Sequence, residues 1–264
     1  MKTRKLLTIG IILVLMLSLL GVQALAAEES AQVYVTISDG SLVMAQEAIN
    51  VTDIDGDGAL TINDALILAH DAKFEGGSAA GYAAVDGDWG LSISKLWGIE
   101  NGGSYGYYVN NASAMGLTDP VKAGDYLNAF VYTDTAAYSD AYCFFDVNTA
   151  SAEKGGELTL TLSVAGYDEN WAPVVLPAEG AVILVNGEAT SVKTDAEGKA
   201  TIKFDKAGDF IISAKSDSAT LVPPVCAVAV SGPSVSTVAI AGIALAAVVV
   251  IAAVIFFVAR KKKK

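Results

Sequence analysis

From Val235 to Val258 the chain runs for 24 residues without a charge, and Arg260 and the lysines Lys261, Lys262, Lys263 and Lys264 follow. A helix of that length reaches about 36 Å at ~1.5 Å per residue, enough to cross a hydrocarbon core of about 30 Å with some tilt. The alternative, a helix buried in a globule, is apolar on every face and would need a large protein shell around it. Gly232-Pro233 breaks regular structure just before the run. The basic residues after it belong on the cytoplasmic side, which places the rest of the chain outside. The N-terminus agrees with this topology. Lys2, Arg4 and Lys5 precede the apolar stretch Leu6 to Leu20, and Ala24-Leu25-Ala26 is a small-residue cleavage motif. The expectation is a signal peptide over 1–26 cut before Ala27, a membrane span over 235–258 and a cytoplasmic tail over 259–264.

About 205 residues remain between the ends, a length that suits two small domains. The ends hold eight of the 17 Lys and Arg but none of the 29 Asp and Glu, so this middle carries a net charge of about −20. Such a surface repels phosphate and argues against nucleic acid and anionic lipid as partners. One histidine and two cysteines exclude most His-based catalysis, Cys-rich zinc sites and a disulfide-dense scaffold. The stretch "NTASAEKGG" near 148–156 divides the middle into blocks expected at 27–147 and 148–231.

The sharpest chemical signal is Asp53-Ile54-Asp55-Gly56-Asp57-Gly58-Ala59-Leu60-Thr61-Ile62-Asn63-Asp64. Read as a 12-residue Ca²⁺ loop over 53–64, it places Asp53, Asp55 and Asp57 at positions 1, 3 and 5. Gly58 falls at the sharp turn of position 6, Ala59 offers its carbonyl at 7, Thr61 stands at 9 and Asp64 closes at 12. Ca²⁺ takes six to eight oxygens, and this spacing wraps them around one centre. Carboxylates crowded into so short a loop repel one another unless a cation joins them. Asn63 to Phe74 then reads as a helix, with Asp64 in its first turn and Ile62, Ala65, Leu66 and Ala69 as an apolar stripe. The segment resembles the calcium repeat of type I dockerins and, more widely, the EF-hand. It departs from the dockerin pattern in having no second repeat and no incoming helix. The resemblance implies bound Ca²⁺ and, as an alternative role, docking to a partner protein through Ile62, Leu66 and their neighbours.

The rest of the first block alternates as strands: "QVYVTIS", "GLSISKLW", "SYGYYVNN" and "YLNAFVYTD". Strand, helix and further strands predict a compact α+β domain. Asp64-Ala65-Leu66, Tyr107-Tyr108-Val109-Asn110 and Gly124-Asp125 before "YLNAFVY" resemble, in order, the DUF4430 family, which is related to the C-terminal domain of transcobalamin. That resemblance implies a β-grasp-like fold and, less directly, a small-molecule binder of the cobalamin type. Aromatic residues cluster around it. Trp97, Tyr105 and Tyr107 are candidates for a platform that stacks on a sugar or flat ligand, against the plainer reading of rings filling the core. His70, with no serine motif beside it, is expected to be solvated or to cap the helix. Asp86 and Asp88 in "DGDWG" read as a turn. No catalytic residues are assigned and the chain is not expected to be an enzyme.

In the second block "ELTLTLSV" puts Leu158, Leu160 and Leu162 on one face, Asn186-Gly187 marks a hairpin, and six or seven short strands predict a β-sandwich. Thr194 to Ala214 resembles bacterial Ig-like surface domains, with a T-D-x-x-G-x-A turn leading into a hairpin. The C-terminal run followed by bases resembles a sortase-processed surface protein, but Leu176-Pro177-Ala178-Glu179-Gly180 lacks the threonine of the sorting motif. Permanent anchoring is therefore expected. Cys143 and Cys226 fall in different blocks, which favours unpaired thiols over a disulfide. The expected function is a bacterial, membrane-anchored, calcium-binding surface protein. It presents a domain that binds an extracellular protein, glycan or small molecule on an Ig-like stalk.

Overall fold

The structure, a computed structural model, describes residues 30–232 other than 89, 103 and 171. The expected signal peptide, membrane span and basic tail, and Trp89, lie outside the described residues. Among the described residues no helix is long and apolar enough to cross a membrane. The chain divides into two units between Asp140 and Ala141.

In the first unit β1 (Ser30–Ser38) and β2 (Leu42–Thr52) pair antiparallel. The acidic loop follows, then α1 (Ile62–Lys73) and the short α2 (Gly77–Gly81). Next come a hairpin of β3 (Ala83–Gly87) with β4 (Gly90–Lys95), then β5 (Tyr105–Val109), β6 (Ala112–Ser113) and β7 (Tyr126–Val131). One sheet has the order β2-β1-β7-β5-β6, with β1 and β7 parallel and the other neighbours antiparallel. A parallel pair requires a crossover rather than a tight turn, and α1 lies within that crossover. Period-two alternation turns Val33, Val35 and Ile37 of β1 and Leu127, Ala129 and Val131 of β7 toward the helix side. There they meet Ile62, Ala65, Leu66 and Ala69, all fully buried, so the stripe read from the sequence is the packed face of α1. Burying a side chain the size of Leu66 or Ile62 contributes about 1.5–3 kcal/mol each. These contacts outweigh any intrinsic preference of so short a helix.

The opposite face of this sheet is shaped by one glycine. Phe130 of β7 is 1% exposed, and its ring lies over Gly106 of β5, where an added Cβ would stand 2.1 Å from Phe130 Cζ. Tyr108 and Tyr132 flank the same ring, at centroid distances of 6.2 and 5.1 Å.

The second unit is a two-sheet β-sandwich. Its strands are β8 (Ala141–Phe145), β9 (Thr149–Glu153), β10 (Glu157–Tyr167), β11 (Pro173–Pro177), β12 (Val182–Val185), β13 (Glu188–Lys193), β14 (Lys199–Lys203), β15 (Gly208–Lys215), β16 (Leu221–Val222) and β17 (Cys226–Ser231). That exceeds the six or seven expected, in part because β8 joins this unit and β16 has only two residues. One sheet runs β11-β10-β8-β16, with β14 also pairing β10; the other runs β13-β12-β15-β17-β9. Phe145, Leu160, Leu162 and Ile202 of the first sheet share a core with Ile183, Ile212, Cys226 and Val228 of the second. Asn186 and Gly187 take φ of +51° and +82° in the β12–β13 hairpin, the left-handed pair that a two-residue turn of this hand needs. In the T-D-x-x-G-x-A motif, Thr194 is buried. Its hydroxyl donates to Ala178 O at 2.5 Å and accepts from the Ala181 amide at 2.8 Å, while Asp195 accepts from the amides of Glu197 and Lys199. The buried Ala178 also donates its amide to Leu162, so the sorting-motif look-alike is woven into the sandwich.

The boundary falls seven residues earlier than the turn-rich stretch suggested, because β8 pairs with β10 and β16 of the sandwich. This corrects the reading of the cysteines. Cys143 and Cys226 belong to the same unit, both as free, buried thiols in its core. Cys143 Sγ donates to Val222 O at 3.1 Å. Burial raises both thiols above the usual range, Cys226 to about 11 with Asp146 adding to it.

Two outcomes follow. Gly106→Ala forces its methyl into the buried Phe130 ring and lowers the stability of the first unit by about 1–3 kcal/mol, read as a fall in its melting temperature. A thiol reagent at pH 8 leaves both cysteines of the native chain unmodified over hours and labels both within minutes in denaturant.

Candidate metal centre

The loop between β2 and α1 draws three carboxylates together. One oxygen from each of Asp53, Asp55 and Asp57 lies within 4.8 Å of the others. Their positions are held by the loop's own amides. Asp53 accepts from Gly56 N at 2.7 Å and Gly58 N at 2.9 Å, Asp55 from Asp57 N at 3.3 Å, and Asp57 from Ala59 N at 2.8 Å. Gly56 and Gly58 take φ of +77° and +88°, a hand that side chains resist, and so the chain curls tightly around the acids.

The electrostatics are divided. The Gly58 amide, helped by Gly56, holds Asp53 below the ordinary carboxylate range. Asp55 is pushed above it, by desolvation first and then by the charges of Asp64, Asp57 and Asp53. The loop thus holds negative charge that its own donors do not fully neutralise. Residues 30–140 carry fifteen Asp and Glu against three Lys, so the surrounding field draws cations as well.

The expected ligand set is only partly assembled. Asp64 is not in the carboxylate cluster, and it and Thr61 organise the start of α1. Thr61 is the N-cap, Asp64 stands three residues on, and the two form a reciprocal capping box. The fully buried Asp64 carboxylate accepts from Ile54 N at 3.0 Å, Thr61 N at 2.9 Å and Thr61 Oγ1 at 2.6 Å. Ala59 donates its amide to Asp57. The arrangement is therefore a three-carboxylate rim, Asp53, Asp55 and Asp57, able to hold a metal ion, over a floor set by Asp64. The remaining first-turn amides of α1 go to distant partners: Ile62 N to Asp119 O at 3.1 Å and Asn63 N to Leu117 O at 2.9 Å. No local signal marks those two carbonyls, which lie more than fifty residues away along the chain. A groove of about 420 Å³ borders the loop, between Gly58, Ala59 and Leu60 on one side and Pro120, Val121 and Lys122 on the other.

The aromatic candidates are placed differently from expectation. Trp97, Tyr105 and Tyr107 are half-buried and pack against the first unit's core instead of forming an open platform. Tyr105 and Tyr107 alternate with Gly106 on β5 and so share its helix-facing side. The Tyr105 hydroxyl lies 2.9 Å from Ser94 O and 2.8 Å from Ile99 O. Trp97 stands edge-on to Phe74 at 5.2 Å. The helix positions that a docking role would use, Ile62 and Leu66, are fully buried. Asp86 lies at the end of β3 and Asp88 in the turn before β4, as a turn assignment expects. His70 is fully buried, not solvated.

The two kinds of aspartate separate in mutants. Asp64→Ala removes half of the capping box and strips three donors of their acceptor, costing about 1–2 kcal/mol of metal-free stability. Asp57→Ala changes metal-free stability far less, since Asp57 is exposed and holds one amide. Chemical denaturation in chelator measures both. Metal affinity declines on acidification from a pH above 3.8, the ordinary aspartate value, because Asp55 takes its proton early.

No protein-family model matches the chain, and no curated protein does. Solved structures with partial likeness include SGBP-B of the Bacteroides ovatus mixed-linkage glucan utilisation locus, in complex with a mixed-linkage heptasaccharide. It is 12% identical over 57% of this chain, at a TM-score of 0.22, and the match spans 35% of that protein's length. The D0–D1 domain of intimin is 14% identical over 75% of this chain and 96% of its own, at 0.26. The fibronectin(III)-like modules of Clostridium thermocellum CbhA are 12% identical over 78% of this chain and 93% of theirs, at 0.27.

Proposed function

We propose that this chain is a membrane-anchored extracellular protein whose first unit is a calcium-stabilised, β-grasp-like binding domain and whose second is an Ig-like spacer toward the membrane. The observation that carries the calcium reading is the convergence of Asp53, Asp55 and Asp57 within 4.8 Å on a loop that runs directly into a capped helix. Hard carboxylate oxygens at alternate positions of a glycine-turned loop suit Ca²⁺ better than softer transition metals. With Thr61 and Asp64 committed to the cap, Asp53, Asp55, Asp57 and the Ala59 carbonyl supply the protein ligands and water completes the shell. That arrangement belongs at the weak, extracellular end of Ca²⁺ affinity, about 10⁻⁴–10⁻³ M.

The sheet order β2-β1-β7-β5-β6, with its central parallel pair and helical crossover, supports the β-grasp reading and with it the DUF4430 resemblance. The two-sheet sandwich and its Thr194–Asp195 turn support the Ig-like reading. The charge-free run over 235–258 and its basic stop support anchoring. A binding role is favoured over a catalytic one because both ring nitrogens of His70 are engaged and both cysteines are buried. Burial of Ile62 and Leu66 argues against dockerin-like docking through α1. The ligand of the first unit belongs to the class of extracellular proteins, glycans or small molecules.

Calcium titration of the chelator-treated chain, followed by calorimetry and thermal unfolding, tests the reading. One site is expected. At about 10 mM Ca²⁺, ten to a hundred times Kd, linkage adds about 1.4–2.7 kcal/mol to the first unit. Both effects vanish in Asp57→Ala. No heat and no thermal shift at that concentration would overturn the calcium reading.

A further inference from the structure

At the far end of α1 from the acidic loop, His70 holds a strained turn. Its ring is fully buried, and its two nitrogens do different jobs. Nδ1 lies 2.7 Å from the Leu66 carbonyl, which can only accept, so Nδ1 carries the proton. Nε2 is therefore unprotonated and accepts the Trp97 amide at 3.0 Å. That amide belongs to a residue in an unusual state. Trp97 has φ of +50° and Gly98 of +77°, so a bulky aromatic occupies the first left-handed position of the tight turn from Leu96 to Ile99. Backbone bonds between Leu96 and Ile99, of 3.1 and 2.9 Å, close the turn, and Gly98 N donates to Gly81 O at 2.8 Å. Bulky residues avoid this conformation, and they persist in it only where their surroundings hold them.

We propose that His70 is an acid-sensitive latch: uptake of a solvent proton at Nε2 replaces the acceptor facing the Trp97 amide with a second donor and lets the Leu96–Ile99 turn open. The charged ring would have two N–H groups and no acceptor for Trp97, so the 3.0 Å contact cannot survive. The surroundings offer the charge little. Phe74, Tyr82 and Trp97 ring it at centroid distances of 6.0, 5.2 and 5.2 Å, and their faces return only part of the lost hydration. Of the charged groups nearby, the Asp71 carboxylate favours the charged ring, but less strongly than desolvation opposes it. Asp71 accepts from Ser78 N at 2.7 Å, Glu47 of β2 pairs with Lys73 at 2.7 Å, and Lys95 and Glu100, flanking the turn, pair at 2.9 Å. The Tyr82 phenol donates to Asn63 at 2.9 Å, and burial pushes its ionisation far up, so it stays neutral. Desolvation holds the imidazole below its ordinary value of 6.5. The unfolded chain therefore takes up the proton first on acidification. The stability contributed by neutral His70 is complete above pH 6.5 and is lost as pH falls from there through the folded-state value.

The test is a pH titration from 8 to 4.5 of the full chain carrying Trp89→Phe and Trp171→Phe, so that Trp97 is the only fluorescent indole. The expected result is a red shift of emission with a midpoint below 6.5, preceding loss of far-UV circular dichroism. His70→Gln, which keeps an acceptor oxygen and cannot titrate, holds the emission flat across that range. A shift of the same midpoint in His70→Gln, or one that coincides with global unfolding, overturns the latch. NMR of the parent chain decides independently should His70→Gln not fold. Coincident titration of the His70 ring and the Trp97 amide supports the proposal, and separate midpoints overturn it.

Discussion

The first unit depends on one buried carboxylate. Asp64 is fully enclosed, and its two oxygens accept from the amides of Ile54 and Thr61 and from the Thr61 hydroxyl. A buried charge is tolerated only where hydrogen bonds replace its hydration. These bonds fasten the first residues of the acidic loop to the first turn of α1, so loop and helix form one object. The favourable placement of a negative charge at a helix N-terminus adds to the effect. Asp53, Asp55 and Asp57 stand on the loop anchored by this base, drawn together by the loop's own amides.

Around that base the unit is built by a division of faces. The central parallel pair of β1 and β7 presents aliphatic residues to α1, while Phe130 is enclosed on the other side over Gly106. The same alternation that makes the core removes Tyr105 and Tyr107 from use as an open ligand platform, because they share its side of β5. The acidic loop, with the groove beside Pro120 and Lys122, is the part of the surface where charge and shape coincide.

The helix carries a different constraint at each end. Its N-terminus is tied by the hydrogen bonds that the Asp64 carboxylate accepts, its C-terminal half by those of the buried His70 ring. The sandwich follows another logic, with its two cysteines buried as small core residues and its turn motif secured by the hydroxyl of Thr194. Its core is built by packing between the two sheets.

The sequence by itself determined what depends on short-range spacing. Period-two and helical alternation located the main strands and the stripe of α1, Asn186-Gly187 located a hairpin, and three aspartates at alternate positions around Gly56 and Gly58 located the candidate metal rim. Each signal acts within a few residues, where backbone geometry alone decides the outcome. Tertiary structure decided what depends on competition for partners. Thr61 and Asp64 fit positions 9 and 12 of a calcium loop by count, yet the helix's exposed amides and the buried setting claim them as a cap. Trp97, Tyr105 and Tyr107 are aromatic in any setting, and only the packing of β5 and of the Leu96–Ile99 turn against the core turned them inward. The turn-rich stretch near 148–156 suggested a boundary, but β8 finds its hydrogen bonds with β10 and β16 and carries Cys143 into the sandwich. His70 reads as a polar residue on a helix until the turn at Trp97, 27 residues on, supplies the donor that buries it. Apart from the Thr61–Asp64 cap, the deciding groups are distant along the chain, and no local pattern records which neighbour folding will bring.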